Sequence, residues 1–327
     1  MQQMSIMINQ VAALMILVVI GYLAGKKSYL PKGFGTFLSK VIIRITAPSL
    51  ILSTMTSYNF DAKTFSDGLW VSFYAILFMF FSLLVGTLFS RILMLEGAAA
   101  NVFKAHTMLG NVSFIALPLF RTMLGEKAVV LASFFVLSFE MLNWTVGVFL
   151  MNKHRKLSPI DTLKKFVNAN TIACAIGIFF ALTNLQYYIR GNEVSKTIYN
   201  ILFNSFNLLG NCTLPLVMLF IGLSTAENSS WKFFDIVKKP VTLVLCLLKL
   251  VLIPLANLLI MLLLGNLVDP FVRTIVILDM AMPCSALVVA LSVEYGSDYR
   301  QAADNILYTT IFSLFTLPLF MMLLRVG

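Results

Sequence analysis

Residues 108–118 read Met108-Leu109-Gly110-Asn111-Val112-Ser113-Phe114-Ile115-Ala116-Leu117-Pro118, and residues 279–286 read Asp279-Met280-Ala281-Met282-Pro283-Cys284-Ser285-Ala286. Each places a helix breaker and small or polar residues in the middle of an apolar run. Proline removes a backbone donor and leaves the carbonyl four residues earlier without its helical partner. Glycine loosens the backbone in the same region. Interrupted backbone at membrane depth is tolerated only where it is buried in protein or lines a wet cavity. Two such breaks crossing near the midplane present half-helix N-termini, with free N–H groups and positive dipole ends that favour an anion. Asn111, Ser113 and Ser285 add side-chain donors. For either stretch alone a simple proline kink explains the pattern; the matched pair favours the site.

The chain around these stretches has 327 residues, 59% hydrophobic and 12% charged. Soluble domains carry about 25% charged residues. Half that charge does not cover a soluble surface of this size, so apolar surface must face lipid. Ten runs are candidate spans: 6–24, 36–56, 69–94, 103–122, 127–151, 168–185, 196–224, 240–264, 270–292 and 302–324. About 20 mostly apolar residues cross the hydrocarbon core. The first run lacks the cationic lead of a signal peptide and reads as a retained span. The expected fold is all-α and polytopic, with no soluble domain between spans.

Net charge of +10 does not indicate nucleic acid. The cations cluster in short breaks between apolar runs, as in cytoplasmic loops. Lys26, Lys27 and Lys32, then Lys153, Arg155, Lys156, Lys164 and Lys165, then Lys232, Lys238 and Lys239, all fall on one side if the N-terminus is outside. Both termini are therefore expected outside. The halves also correspond: Thr46-Ala47-Pro48 and Thr213-Leu214-Pro215 lie 167 residues apart, and Pro118 and Pro283 lie 165 apart. An offset that is nearly constant suggests duplication, and five spans per copy inverts the second. The expected organisation is a first five-helix repeat over 1–151, a cytoplasmic linker over 152–167 and a second repeat over 168–327.

Ionisable groups inside spans are costly and so are functional candidates. Glu140, with Asn143 one turn on, leads them; Asp279 opens the second break. Lys40 and Arg44 share one face of span 2, where snorkelling to the interface is the simpler account. Lys249 lies deep in span 8, suited to pairing with an acid. Cys174, Cys212, Cys246 and Cys284 form no CxxC and read as small apolar residues. His106 and His154 have no ligand spacing and fall in or near loops, so neither a metal nor a cofactor is expected. Trp144 and Trp231 suit interface or packing positions.

Four stretches resemble the auxin efflux carrier family, the plant PIN-type carriers and bacterial relatives described as malate or malonate permeases. They are Gly21-Tyr22-Leu23-Ala24-Gly25-Lys26-Lys27; Gly110-Asn111 with Ala116-Leu117-Pro118-Leu119; Leu208-Leu209-Gly210-Asn211 with Leu219-Phe220-Ile221-Gly222-Leu223-Ser224; and Met282-Pro283 through Val293-Glu294-Tyr295-Gly296. The likeness runs in order along nearly the whole chain. It implies ten transmembrane helices in two inverted five-helix repeats with broken crossover helices 4 and 9, an architecture like that of bile-acid/sodium symporters. It further implies a scaffold of spans 1, 2, 6 and 7, often dimeric, and a moving domain of spans 3–5 and 8–10. Substrate is then expected at Asn111, Pro118, Pro283, Cys284 and Ser285, with Ser113 beside them. Glu140, Asn143, Asp279 and Lys40 become candidates for coupling or support, through Na+ or H+. Gly110 stands where plant members tend to carry proline, and the long plant loop is missing. Both departures point away from auxin and toward a small carboxylate.

The expected function is a secondary carrier of a small organic anion in the cytoplasmic membrane. The main alternative is a membrane receptor that binds an anion without moving it; a passive channel is another. An intramembrane enzyme needs a nucleophile with a base or a metal cluster. Neither G-x-S-x-G nor H-E-x-x-H occurs.

Overall fold

The structure is a computed structural model that describes residues 13, 16–31, 33–57, 61–152, 167–183, 189, 193–227 and 238–324. Most of the linker expected over 152–167, the start of the first run and Trp231 lie outside the described residues. Every regular element among the described residues is helical. In chain order they are α1 (Ile16–Lys26), α2 (Phe34–Val41), α3 (Ala47–Ser57), α4 (Ala62–Ile92), α5 (Gly97–Met108), α6 (Leu117–Leu124), α7 (Glu126–Leu142) and α8 (Val148–Met151). They continue as α9 (Ala169–Thr183), α10 (Glu193–Asn211), α11 (Thr213–Glu227), α12 (Pro240–Leu247), α13 (Ile253–Leu263), α14 (Pro270–Met280), α15 (Ala286–Glu294) and α16 (Tyr299–Leu323).

Among the described residues, six helical stretches are long and apolar enough to cross a bilayer. Of the four other expected runs, the described parts of the first and sixth form the apolar helices α1 and α9. The fourth and ninth are interrupted, α5 from α6 and α14 from α15. The long α4 shows how the chain meets its solvent. It buries Val71, Ala75, Phe78 and Ser82 while exposing Leu69, Phe73, Leu77, Leu84 and Leu88. A continuous apolar stripe of this size on an outer face is suited to lipid.

Several helices continue through a single π-helical turn. Three of these turns, Ile42–Thr46, Val112–Ala116 and Leu248–Leu252, precede Pro48, Pro118 and Pro254. The carbonyl that each proline deprives of a partner belongs to Arg44, Phe114 and Leu250, at the centre of each turn. Widening the helix there relieves the clash of the ring with that carbonyl. Pro118 thus shapes α6 below the break rather than making it; the interruption itself lies at Leu109–Asn111.

Two sets of close contacts organise the helices. Helix α3 packs on α9 and α10, and α11 packs on α2. Gly21 sits against the backbone of Leu219, and Gly222 against the carbonyl of Val18, so that α1 and α11 touch main chain to main chain. The other set joins α4 to α5, α7 and α14, and α16 to α12 and α15. Asp61 caps α4, its Oδ1 accepting the Thr64 N–H at 2.7 Å.

No side chain fits between α1 and α11 at Gly222 without moving backbone. Gly222→Ala is expected to destabilise the protein by about 1–3 kcal/mol through overpacking. Thermal unfolding in detergent checks this; an unchanged midpoint would contradict the close approach.

Candidate anion site at the helix crossing

The two interrupted stretches meet. Gly110 and Cys284 face each other across an isolated antiparallel bridge. The Asn111 N–H donates to the Pro283 carbonyl at 2.7 Å, and the Ser285 N–H donates to the Leu109 carbonyl at 3.2 Å. Backbone groups freed by each break are therefore satisfied by the other, as a water-poor interior requires. Leu109 is extended, with φ −98° and ψ 119°, which suits it to this pairing.

A cavity of about 610 Å³ opens on one side of the crossing. That lies within the ~300–1,000 Å³ typical of small-molecule sites. Asn111, Ser113 and Ser285 line it from the crossing, Glu140 and Trp144 from the end of span 5, and Lys40 and Arg44 from span 2. Asn168 and Asn170 complete the wall at the start of α9. Asn168 and Asn170 directly follow residues 152–167, where the linker is expected.

The polar wall is ordered by its own hydrogen bonds. Glu140 Oε2 accepts from Trp144 Nε1 at 2.9 Å and from Asn168 Nδ2 at 3.0 Å. Asn168 also caps α9, its Oδ1 accepting from the N–H groups of Asn170 and Thr171 at 2.9 and 3.2 Å. Thr171 Oγ1 returns a bond by accepting the Asn168 N–H at 2.9 Å. Ser285 Oγ likewise accepts the Leu287 N–H at 3.2 Å at the head of α15. Three helical N-termini thus converge on the cavity: the turn after Asn111, α9 and α15. Their partial positive charges add to Lys40 and Arg44 against the single carboxylate of Glu140.

Of the residues expected to form the site, Asn111, Ser113, Ser285, Glu140 and Lys40 come together in this cavity. Pro283 and Cys284 lie in the crossing strand behind it, and Cys284 is fully buried. Pro118, Asn143 and Asp279 do not line it. Asn143 and Asp279 are buried, and their side-chain oxygens lack hydrogen-bond partners. Lys249 is buried as expected, yet it donates to the Thr107 carbonyl at 3.3 Å rather than to an acid. Arg44, Asn168, Asn170 and Trp144 are wall residues absent from the expected site. Asn168-Ala169-Asn170-Thr171 did carry a signal, a capping sequence before an apolar run. His106 corrects the loop assignment: it is completely buried in α5.

The family described as membrane transport protein matches residues 6–160 and 153–321, nearly the whole chain between them. The chain belongs to this family, which includes the auxin efflux carriers. An uncharacterized transporter of Methanocaldococcus jannaschii is 24% identical over 322 residues, covering 94% of this chain and 96% of that protein. The protein is accordingly a multi-pass membrane transporter and not an enzyme.

Removing the Glu140 carboxylate takes away the acceptor of two half-buried donors, Trp144 Nε1 and Asn168 Nδ2. Glu140→Leu is expected to lower stability by about 1–3 kcal/mol, the net worth of two hydrogen bonds. Glu140→Gln keeps an acceptor and should stay closer to wild type. Thermal unfolding followed by tryptophan fluorescence separates the two; equal midpoints for all three proteins would contradict the assignment.

Proposed function

We propose that the protein is a secondary carrier of a small organic anion, a carboxylate such as malate or malonate, working by elevator-like alternating access. The observation that carries this reading is an asymmetry about the crossing. One side is the polar, cationic cavity. A second and much smaller space of about 40 Å³ beside Ile115 is lined mainly by apolar side chains, among them Leu119, Met123, Leu214, Met218 and Leu317. In this reading the anion enters through the polar cavity, and the apolar packing around the smaller space is the seal on the far side.

The seal lies between α6 and α16 on one hand and α11 on the other. This division supports a scaffold of spans 1, 2, 6 and 7 against a moving domain of spans 3–5 and 8–10. Close glycine contacts between α1 and α11, and of Gly177 in α9 with Met55 in α3, suit a scaffold that stays rigid. Arg121 of α6 donates to Asn207 of α10 across the same boundary, a bond that movement would break. Ten spans in two inverted repeats accommodate the interrupted and short helices. The two family matches overlap at 153–160, within the linker between the proposed repeats. With both termini outside the cytoplasmic membrane, the cavity faces the cytoplasm.

Anion binding drives the change only through different affinity in the two states. Lys40 and Arg44 belong to the scaffold in this scheme, and Asn111, Ser113 and Ser285 to the moving domain. A shift of one against the other separates the cations from the crossing and changes that affinity.

Counterflow of labelled malate into proteoliposomes loaded with unlabelled malate tests the proposal, with and without Na+ and a pH gradient. Saturable exchange is expected. Asn111→Ala should weaken apparent affinity about tenfold or more, since a hydrogen bond to a charged group contributes ~1.5–3 kcal/mol. The pair Lys40→Gln and Arg44→Gln should weaken it as well. Binding of malate without flux would favour a receptor, and uptake without saturation a channel.

A further inference from the structure

His106 lies directly behind the crossing, enclosed by protein and outside the cavity wall. Its Nε2 is 3.3 Å from the Ser285 carbonyl oxygen, and its Nδ1 is 3.2 Å from Asn305 Nδ2. The second contact assigns the tautomer. An amide NH2 only donates, so Nδ1 is the acceptor and Nε2 carries the hydrogen. Asn305 is oriented in turn by Thr242, whose Oγ1 donates to Asn305 Oδ1 at 3.0 Å. A directed chain of donors therefore runs from Thr242 to Asn305 to His106 and ends on the Ser285 carbonyl. It links α12, α16 and α5 to the strand before α15. One turn beyond Asn305, Thr309 Oγ1 accepts the Cys284 N–H at 3.1 Å and donates to the Asn305 carbonyl at 2.6 Å.

Both backbone polar groups of Ser285 are thus held: the carbonyl accepts from His106 Nε2–H and, at 3.3 Å, from the Val288 N–H, and the N–H donates to Leu109. Ser285 also lines the cavity. A carbonyl oxygen turned toward the cavity would put a negative partial charge where an anion must bind.

We propose that His106 is a positioning residue for the anion site: its Nε2–H holds the Ser285 carbonyl away from the cavity, leaving Ser285 to present its hydroxyl. His106 acts through Ser285 and does not touch the anion. The same chain of bonds ties spans 4, 8, 9 and 10 together, so the crossing moves as one piece. The inference rests on the cavity being the anion site.

Two readouts test it. In malate counterflow, His106→Leu is expected to raise KM about tenfold, a factor equivalent to ~1.4 kcal/mol. His106→Gln, which retains an N–H donor, should recover much of the loss. The second readout needs no substrate. In protein carrying Cys212→Ser, which removes the exposed native thiol, N-ethylmaleimide reacts with a thiol introduced by Ser285→Cys. Adding His106→Leu should speed that reaction severalfold by freeing the strand. Unchanged KM and labelling rate in folded His106→Leu protein would overturn the proposal, as would equal behaviour of the Leu and Gln variants. If wild type does not exchange malate, the carrier reading loses that substrate and the labelling rate alone decides the role of His106. If His106→Leu does not fold, Asn305→Leu takes its place, and a labelling rate equal to wild type would overturn the chain of bonds.

Discussion

Two backbone hydrogen bonds, from Asn111 to the Pro283 carbonyl and from Ser285 to the Leu109 carbonyl, are the constraint on which the rest of the structure depends. An unpaired peptide group in the interior of a membrane protein costs several kcal/mol. A helix interrupted there needs a partner interrupted at the same depth. Here each break supplies the other, which fixes where the two stretches cross and in what register. Gly110 faces Cys284, and the residues on either side are directed by that pairing. Four half-helices then point at or away from one spot, and their N-termini define its charge.

The surroundings follow from this arrangement. Polar and cationic side chains line the larger cavity beside the crossing, and mainly apolar ones line the small space between α6, α11 and α16. In the proposed site the positive charge comes from two sources that behave differently. The N-termini after Asn111 and at α15 belong to the crossing and remain with it, whereas that of α9 belongs to span 6 and stays with the proposed scaffold. Lys40 and Arg44 stand on a separate group of helices, and their distance from the crossing changes if the groups shift. A site assembled from both is strong in one arrangement and weaker in another, which is what a carrier needs in order to release its cargo. Glu140, tied to Trp144 and Asn168, keeps the cavity from becoming uniformly cationic and fastens the end of span 5 to the head of α9.

Much of this was legible in the sequence because it depends on local chemistry. Low charge and long apolar runs announced the membrane. Gly110-Asn111 and Met282-Pro283 announced the breaks, since such residues in apolar helices need a reason. Glu140 was legible because a carboxylate inside a span is costly. Pro118 was misleading: its spacing to Pro283 suggested equivalent breaks, but a helix absorbs a proline by widening one turn, as it also does before Pro48 and Pro254. His106 was hidden because its partners, Ser285 and Asn305, lie 179 and 199 residues away. Arg44 and Lys40 read as snorkelling cations and are exposed; local sequence does not say that the same helix face also borders a cavity. Asn168 and Asn170 carried a capping signature, but nothing local showed that the capped end would face Glu140.

The central claim is that the apolar seal beyond the crossing must open for the anion to pass. Leu119 and Leu214 line that seal from α6 and α11. Exchange should therefore be measured in proteoliposomes carrying Leu119→Cys with Leu214→Cys, before oxidation, after complete disulfide formation and after reduction. The account predicts that exchange stops when the two helices are joined and returns on reduction. Exchange that continues at its original rate in the fully cross-linked protein would contradict it.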